Sequence, residues 1–350
     1  MIDSLFGGKV DAVLITSPIN RAYFTGLNTS YGFVVLTANA KYFFADMRYY
    51  SYAKKKLEGF EVKALSRGNG LETIAAELKE IGIVNLGYED DFISCAKFKE
   101  FKKAFTGFSL KPASDQLSSL RLIKTEQEID FINEAQAIVE KVFVFILKKL
   151  QLGITEKELR KQIIIACLDA GADSMSFEPI IAFGENSAVP HHIPSNKKLV
   201  EGDLILLDFG VKVGGYCSDM TRTFCLGKPH DTMVRVYDIV KAAQEYALKN
   251  IKPGMTCGEA DSFAREFICA NGYKEEFLHS LGHGIGLEIH EKPFVKEKSD
   301  TILLPGMVIT IEPGVYIEGI GGVRIEDIVV VREDGIENLT SAAKKLIFKS

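Results

Sequence analysis

The chain has 350 residues, 47% hydrophobic and 25% charged, an ordinary globular composition that is too long for a single core. A formal charge of −5 without basic runs argues against nucleic acid or an anionic membrane as partner. No apolar run reaches membrane-spanning length, and the opening MIDSLFGGKVDAVLIT lacks the pattern of a signal peptide.

In chain order, DAVLIT, YGFVVLT, KYFFAD and FEVKAL read as strands, each β-branched or aromatic and bounded by turn residues. YYSYAKKKLEG and GNGLETIAAELKEIG read as helices that stop at glycine. This predicts an α/β domain over 1–120. The polar stretch KPASDQLSSLRLIK places the boundary, and a second domain runs over 121–350. TEQE at 125–128 and TEKE at 155–158 are capping boxes, and each opens a helix, one to about Leu150 and one to near Gly171. GDLILLDFGV and GGYCSDMTRTF then read as paired strands. The order repeats. Asp231 is expected to cap a helix running to about Asn250, and TCGE at 256–259 opens another that ends near Gly272. PGMVITIEPGVY and GGVRIEDIVVV are the second strand pair.

The two halves match at an offset of about a hundred residues, so 125–335 reads as one helix–helix–strand–strand unit present twice. Asp208 falls opposite Glu312, and Asp219 opposite Glu326. A two-fold duplication brings such positions together. Four carboxylates in one small site repel and raise one another's pKa, and divalent cations relieve that conflict. In DLILLDF, Asp208 shares the inward face of Leu204 and Leu206, where an uncoordinated carboxylate is costly. Any one of these acids alone would read as a solvated strand end; four at matched positions read as a site. His283 stands between two glycines in GHG, where backbone can approach a ligand or metal closely. One imidazole among carboxylates suits Mn, Fe, Co or Zn. The six cysteines form no CxxC pair, so free thiols in a reducing cytoplasm are expected.

Asp208, Asp219, His283, Glu312 and Glu326, in that order and spacing, resemble the pita-bread metallopeptidases: methionine aminopeptidases, aminopeptidase P, prolidase and creatinase. RLIKTEQEIDFINEAQ is similar to that domain's opening helix. AYFTGL and FFADMRYY are similar to the N-terminal domain of the last three members. The resemblance implies an α/β N-terminal domain and an α+β, pseudo-two-fold duplicated pita-bread catalytic domain. It implies two divalent ions (Mn, Co or Zn), bridged by Asp219 and Glu326, with Asp208 on one and His283 and Glu312 on the other. The nucleophile would be a hydroxide between the ions, and Glu312 its general base. His191 and His290 match histidines beside the scissile bond, and His279 a third active-site histidine. Arg324 matches an arginine that orients a ligand carboxylate.

An N-terminal domain argues against methionine aminopeptidase, and a full ligand set against creatinase. The expected reaction is cleavage of Xaa-Pro peptides. Some prolidases carry an arginine shortly after the HE pair to hold a dipeptide's carboxylate; this chain has HEKPFV, which favours aminopeptidase P over prolidase. The alternative of another class is an inactive pita-bread binding module. A cytoplasmic homodimer is expected, with Tyr23, Phe24, Tyr31 and Phe33 as interface or core. His192 is expected to point away from the site.

Overall fold

A computed structural model of the chain describes residues 5–6, 10–65, 68 and 70–348. Part of MIDSLFGGKVDAVLIT and Asn69 of the GNG stretch lie outside the described residues. The chain divides into two units, 1–121 and 122–350.

The first unit runs β1 (Ala12–Ile15), α1 (Pro18–Thr25), β2 (Phe33–Thr37), β3 (Lys41–Ala45), α2 (Met47–Lys56), β4 (Glu61–Ala64), α3 (Gly70–Glu80), β5 (Asn85–Tyr88), α4 (Cys95–Ala104), β6 (Ser109–Pro112) and α5 (Ser114–Leu120). Its strands form one sheet in the order β4-β3-β2-β1-β5-β6. Along β1, Val13 and Ile15 enter one core while Ala12 and Leu14 enter another. Alternate side chains point to opposite faces, so a sheet covered on both faces needs continuous apolar runs such as FVVL. The four expected strands form. The stretch expected as a polar boundary instead holds the end of β6 and α5, whose Leu117 and Leu120 pack in the core. Phe33 is buried, Tyr23 and Phe24 pack against the core, and Tyr31 is exposed.

The second unit begins with α6 (Glu126–Lys149), α7 (Glu156–Asp169), β7 (Ser174–Met175), β8 (Ile180–Phe183), a 3₁₀ turn (Gly184–Ala188), β9 (Leu204–Asp208), β10 (Val211–Val213), β11 (Tyr216–Cys217) and β12 (Thr221–Leu226). It continues with α8 (Asp231–Asn250), α9 (Cys257–Ala270), β13 (Gly282–Gly284), β14 (Glu291–Val295), β15 (Val308–Ile311), β16 (Gly314–Ile317), β17 (Gly321–Arg324), β18 (Asp327–Arg332), β19 (Gly335–Asn338) and β20 (Ile347–Phe348). The duplication is visible in the pairing. One half has a sheet containing β12-β9-β8, the other a sheet containing β18-β15-β13. Helices α6 and α7 share one core with the first sheet, and α8 and α9 share another with the second. All three capping boxes form. The cap of α8 differs from expectation: His230 accepts from the Thr232 amide at 3.2 Å through Nδ1. Asp231 is the first helical residue, where its charge suits the helix dipole. Among the described residues no helix is long and apolar enough to cross a membrane.

Candidate metal centre and cleft

The acids sit where paired strands end. Asp208 closes β9 opposite Thr221, which opens β12. In the other half Ile311 closes β15 opposite Asp327, which opens β18, so Glu312 and Glu326 flank that pair at the same end. Asp219 lies two residues before β12, and His283 in the middle of β13. Asp219, His283 and Glu326 each present a ligand atom within 4.8 Å of the others. His283 Nε2 lies 3.2 Å from Glu312 Oε1 and 3.8 Å from Asp219 Oδ2. Asp208 and Glu312 fall outside the tightest group but line the same cleft.

Local bonds fix the histidine and its partner acid. Thr310 Oγ1 accepts from the His283 amide at 3.1 Å and donates to Glu312 Oε1 at 3.0 Å. His283 Nδ1 lies 3.1 Å from the Gly284 carbonyl, a bond that leaves Nε2 toward the acids, as a metal-binding imidazole requires. The flanking glycines serve the sheet. A Cβ on Gly282 would stand 1.9 Å from the Thr310 carbonyl oxygen, and one on Gly284 2.3 Å from that of Lys292. The close approach is to neighbouring strand backbone, whereas the GHG spacing suggests a ligand or metal.

Burial pushes the Asp219 carboxyl well above its ordinary range, and the charges of Glu326, Asp208 and Glu312 add to it. Glu326 is driven up by burial, Glu312 and Asp208. Asp208 rises through burial, partly opposed by Arg324. Burial also acts to raise Glu312, but the hydrogen bond and charge of His283, with His279 and Arg324, outweigh it and hold the group at about 2. Asp208 Oδ1 and Asp219 Oδ1 are buried without a hydrogen-bond partner. Crowded carboxylates, two of them with orphaned oxygens, around an imidazole whose Nε2 faces the acids are a donor set that divalent cations fit.

Arg324 ties the acids to a polar chain. Its Nη2 donates to Asp208 Oδ2 at 2.6 Å, its Nε to Thr221 Oγ1 at 3.0 Å and its Nη1 to the Tyr316 hydroxyl at 2.7 Å. Thr221 Oγ1 donates in turn to Glu326 Oε2 at 2.6 Å. His279 Nε2 lies 2.8 Å from Tyr316 Oη and its Nδ1 2.8 Å from the Ser280 carbonyl, so both ring nitrogens have protein partners. Burial lowers the pKa of His279, partly opposed by the charge of Glu312. His191 and His290 are exposed at the cleft, and the His290 ring meets that of His283 edge-to-face at 4.3 Å.

His192, expected to point away from the site, lines the same cleft, and its Nε2 lies 2.9 Å from Glu156 Oε2. Glu156 is fully buried and also accepts from the Phe183 amide, Asn186 Nδ2, and the amide and hydroxyl of Ser195. It fastens the loop that carries His191. Sequence gave no sign of this, because Glu156 reads there as an interior letter of a capping box. The buried Lys124–Glu291 pair, 2.6 Å apart, is likewise illegible across its sequence separation; it anchors the residue after His290.

A duplicated helix–helix–sheet unit that gathers three buried carboxylates, a partly buried fourth and an imidazole in one cleft defines a metal-dependent hydrolase. Residues 130–333 match the model of metallopeptidase family M24, and residues 3–123 that of the creatinase/prolidase N-terminal domain. The chain belongs to metallopeptidase family M24. It is 36% identical to the Xaa-Pro dipeptidase of Pyrococcus furiosus over 343 residues, covering 97% of this chain and 96% of that one. Among solved structures, the Xaa-Pro dipeptidase from Bacillus anthracis matches with a TM-score of 0.96 at 39% identity, covering 99% of both chains. The X-Pro aminopeptidase from Thermotoga maritima matches with a TM-score of 0.90 at 36% identity, covering 97% of this chain and 98% of that one. The fold is the pita-bread fold with a creatinase-type N-terminal domain, and the protein is a metallopeptidase.

Proposed function

We propose that the protein is a two-metal peptidase that removes the residue before proline from the amino terminus of peptides. The observation that carries this reading is the convergence of His191, His279 and His290 with all five ligand candidates on one cleft of about 1140 Å³. The similarity to an Xaa-Pro dipeptidase and an X-Pro aminopeptidase supports it.

Asp208, Asp219, His283, Glu312 and Glu326 would hold two ions of Mn, Co or Zn, which supply Lewis acidity and an activated water. Glu312, hydrogen-bonded by Thr310, would accept the nucleophile's proton and return it to the leaving nitrogen. That nitrogen belongs to proline and has no N–H in the substrate, so it must gain a proton to leave. His191 and His290 donate to the oxygen on which negative charge develops. His279 acts through Tyr316 and Arg324, since its nitrogens are engaged. Apolar wall residues Phe177, Ile180 and Phe294 seat the proline ring.

Phe294 lines the cleft shortly after His290–Glu291, where a dipeptide's carboxylate clamp is expected. This supports peptides longer than two residues. The second reading, an Xaa-Pro dipeptidase, is favoured by the names of the Pyrococcus furiosus and Bacillus anthracis relatives. The test is cleavage of Xaa-Pro and Xaa-Pro-Xaa peptides by chelator-stripped protein with and without Mn²⁺ or Co²⁺. Metal-dependent cleavage of tripeptides is expected. Cleavage of dipeptides alone selects the second reading, and cleavage of neither removes both.

The protein works as a homodimer in the cytoplasm on this reading. All six cysteines are free, which supports a reducing compartment. Exposed Tyr31, Met47 and Tyr52 offer an interface. Light scattering on the eluting protein tests it; a monomeric mass overturns the dimer.

A further inference from the structure

We propose that Lys157 and Lys161 of α7 form a cationic subsite that receives a carboxylate of the bound peptide, its free C-terminus above all. This rests on the peptidase reading above. Both residues line the same cleft as the metal candidates and are exposed. They stand one helical turn apart, about 6 Å along the axis, so two ammonium groups can address one carboxylate.

The acids around them are already engaged. Glu158 is held by Thr155 in the capping box. Glu156 is buried under its own donors. Glu178 pairs with Arg160. Neither lysine has an ion-pair partner among the described residues. The other arginine of the cleft, Arg324, is buried and bonded to Asp208, Thr221 and Tyr316.

The duplication supplies an internal control. When the caps Thr155 and Thr256 are aligned, Lys157, Arg160 and Lys161 correspond to Gly258, Asp261 and Ser262 of α9. The helix framework therefore does not require cations at these positions. The place shortly after His290–Glu291 where a carboxylate clamp was expected holds Phe294, an apolar ring of the same cleft. A peptide's one obligatory anion is its C-terminal carboxylate. The unpaired positive charge of this cleft lies on α7, so the subsite selects peptides long enough to bring their carboxylate to it.

The test is a ladder of Ala-Pro peptides lengthened one alanine at a time, each as free acid and as C-terminal amide, with metal-loaded wild type and K157Q/K161Q. Above a threshold length the acid should have a KM lower than the amide by about five- to tenfold, because two exposed pairs are each worth little more than a factor of a few. The preference should shrink with added salt and vanish in the double variant, while the amides are cleaved equally by both proteins. An amidated ladder ending in aspartate separates the sources: a restored preference extends the subsite to acidic side chains, and none restricts it to the terminus. Acid and amide cleaved alike by wild type at every length, or a preference that survives K157Q/K161Q, would overturn the subsite and leave the peptidase reading standing. No cleavage of any Ala-Pro peptide takes both down.

Discussion

Arg324 Nη2 donates to Asp208 Oδ2 at 2.6 Å, while the other carboxylate oxygen of Asp208, also buried, accepts nothing. One oxygen is oriented by a fixed cation and the other is left for a ligand. Arg324→Met should lower Mn²⁺ affinity about 10- to 100-fold, read by calorimetric titration of chelator-stripped protein. Arg324→Lys should not restore it. Three nitrogens of one planar guanidinium reach Asp208, Thr221 and Tyr316 at once, and an ammonium on a flexible stem cannot hold that geometry. Affinity equal to wild type in the methionine variant would remove the orienting role.

Gly282→Ala tests the strand approach beside His283. The new methyl would collide with the Thr310 carbonyl, which is backbone and cannot step aside. Overpacking of this kind costs about 1–3 kcal/mol or more. Displacing β13 from β15 also moves His283 relative to Glu312. We expect a lowered Tm together with lost metal binding. Wild-type values of both would show that the sheet tolerates a side chain there.

Asp219 and Glu326 hold protons more tightly when folded than when unfolded. Groups of this sign contribute their full stability below the ordinary carboxylate range and lose it as pH rises through their raised values. Glu312 has the opposite sign: its contribution is present above its ordinary 4.5 and is lost as pH falls toward about 2. Chelator-stripped protein should therefore lose Tm as pH climbs above the ordinary carboxylate range. Added Mn²⁺ should raise Tm most at the upper end, because an ion replaces the protons. Thermal melts over a pH series with and without metal decide it; parallel curves would mean that the acids are not jointly buried.

Glu156→Gln probes the loop that presents His191. The carboxylate's pKa is depressed: burial opposes this, but Asn186, His192, Ser195 and the Phe183 amide prevail. Replacing it with an amide turns one acceptor into a donor that faces donors. A loss of about 2–4 kcal/mol is expected in denaturant unfolding. kcat/KM should fall as well, although Glu156 does not itself reach the substrate. A stability loss with kcat/KM intact would detach the loop from the chemistry.

Local signals were legible without coordinates. Thr125, Thr155 and Thr256, each with a glutamate three residues on, cap helices because both partners of the box lie within one turn. The repeat of LILLD and VITIE at matched offsets pointed to the paired acids, since period-two alternation puts a residue on a face from sequence alone. What only the tertiary structure decided are relations between distant strands. Arg324 reaches Asp208 across 116 positions, and Lys124 reaches Glu291 across 167. Neither pair has any periodicity to betray it. Whether Glu156 faced water or the core was also open, because the first turn of a helix offers both. Hydrogen bonds and ion pairs need atoms within about 3 Å, and only the packing of one half of the repeat against the other sets distances on that scale.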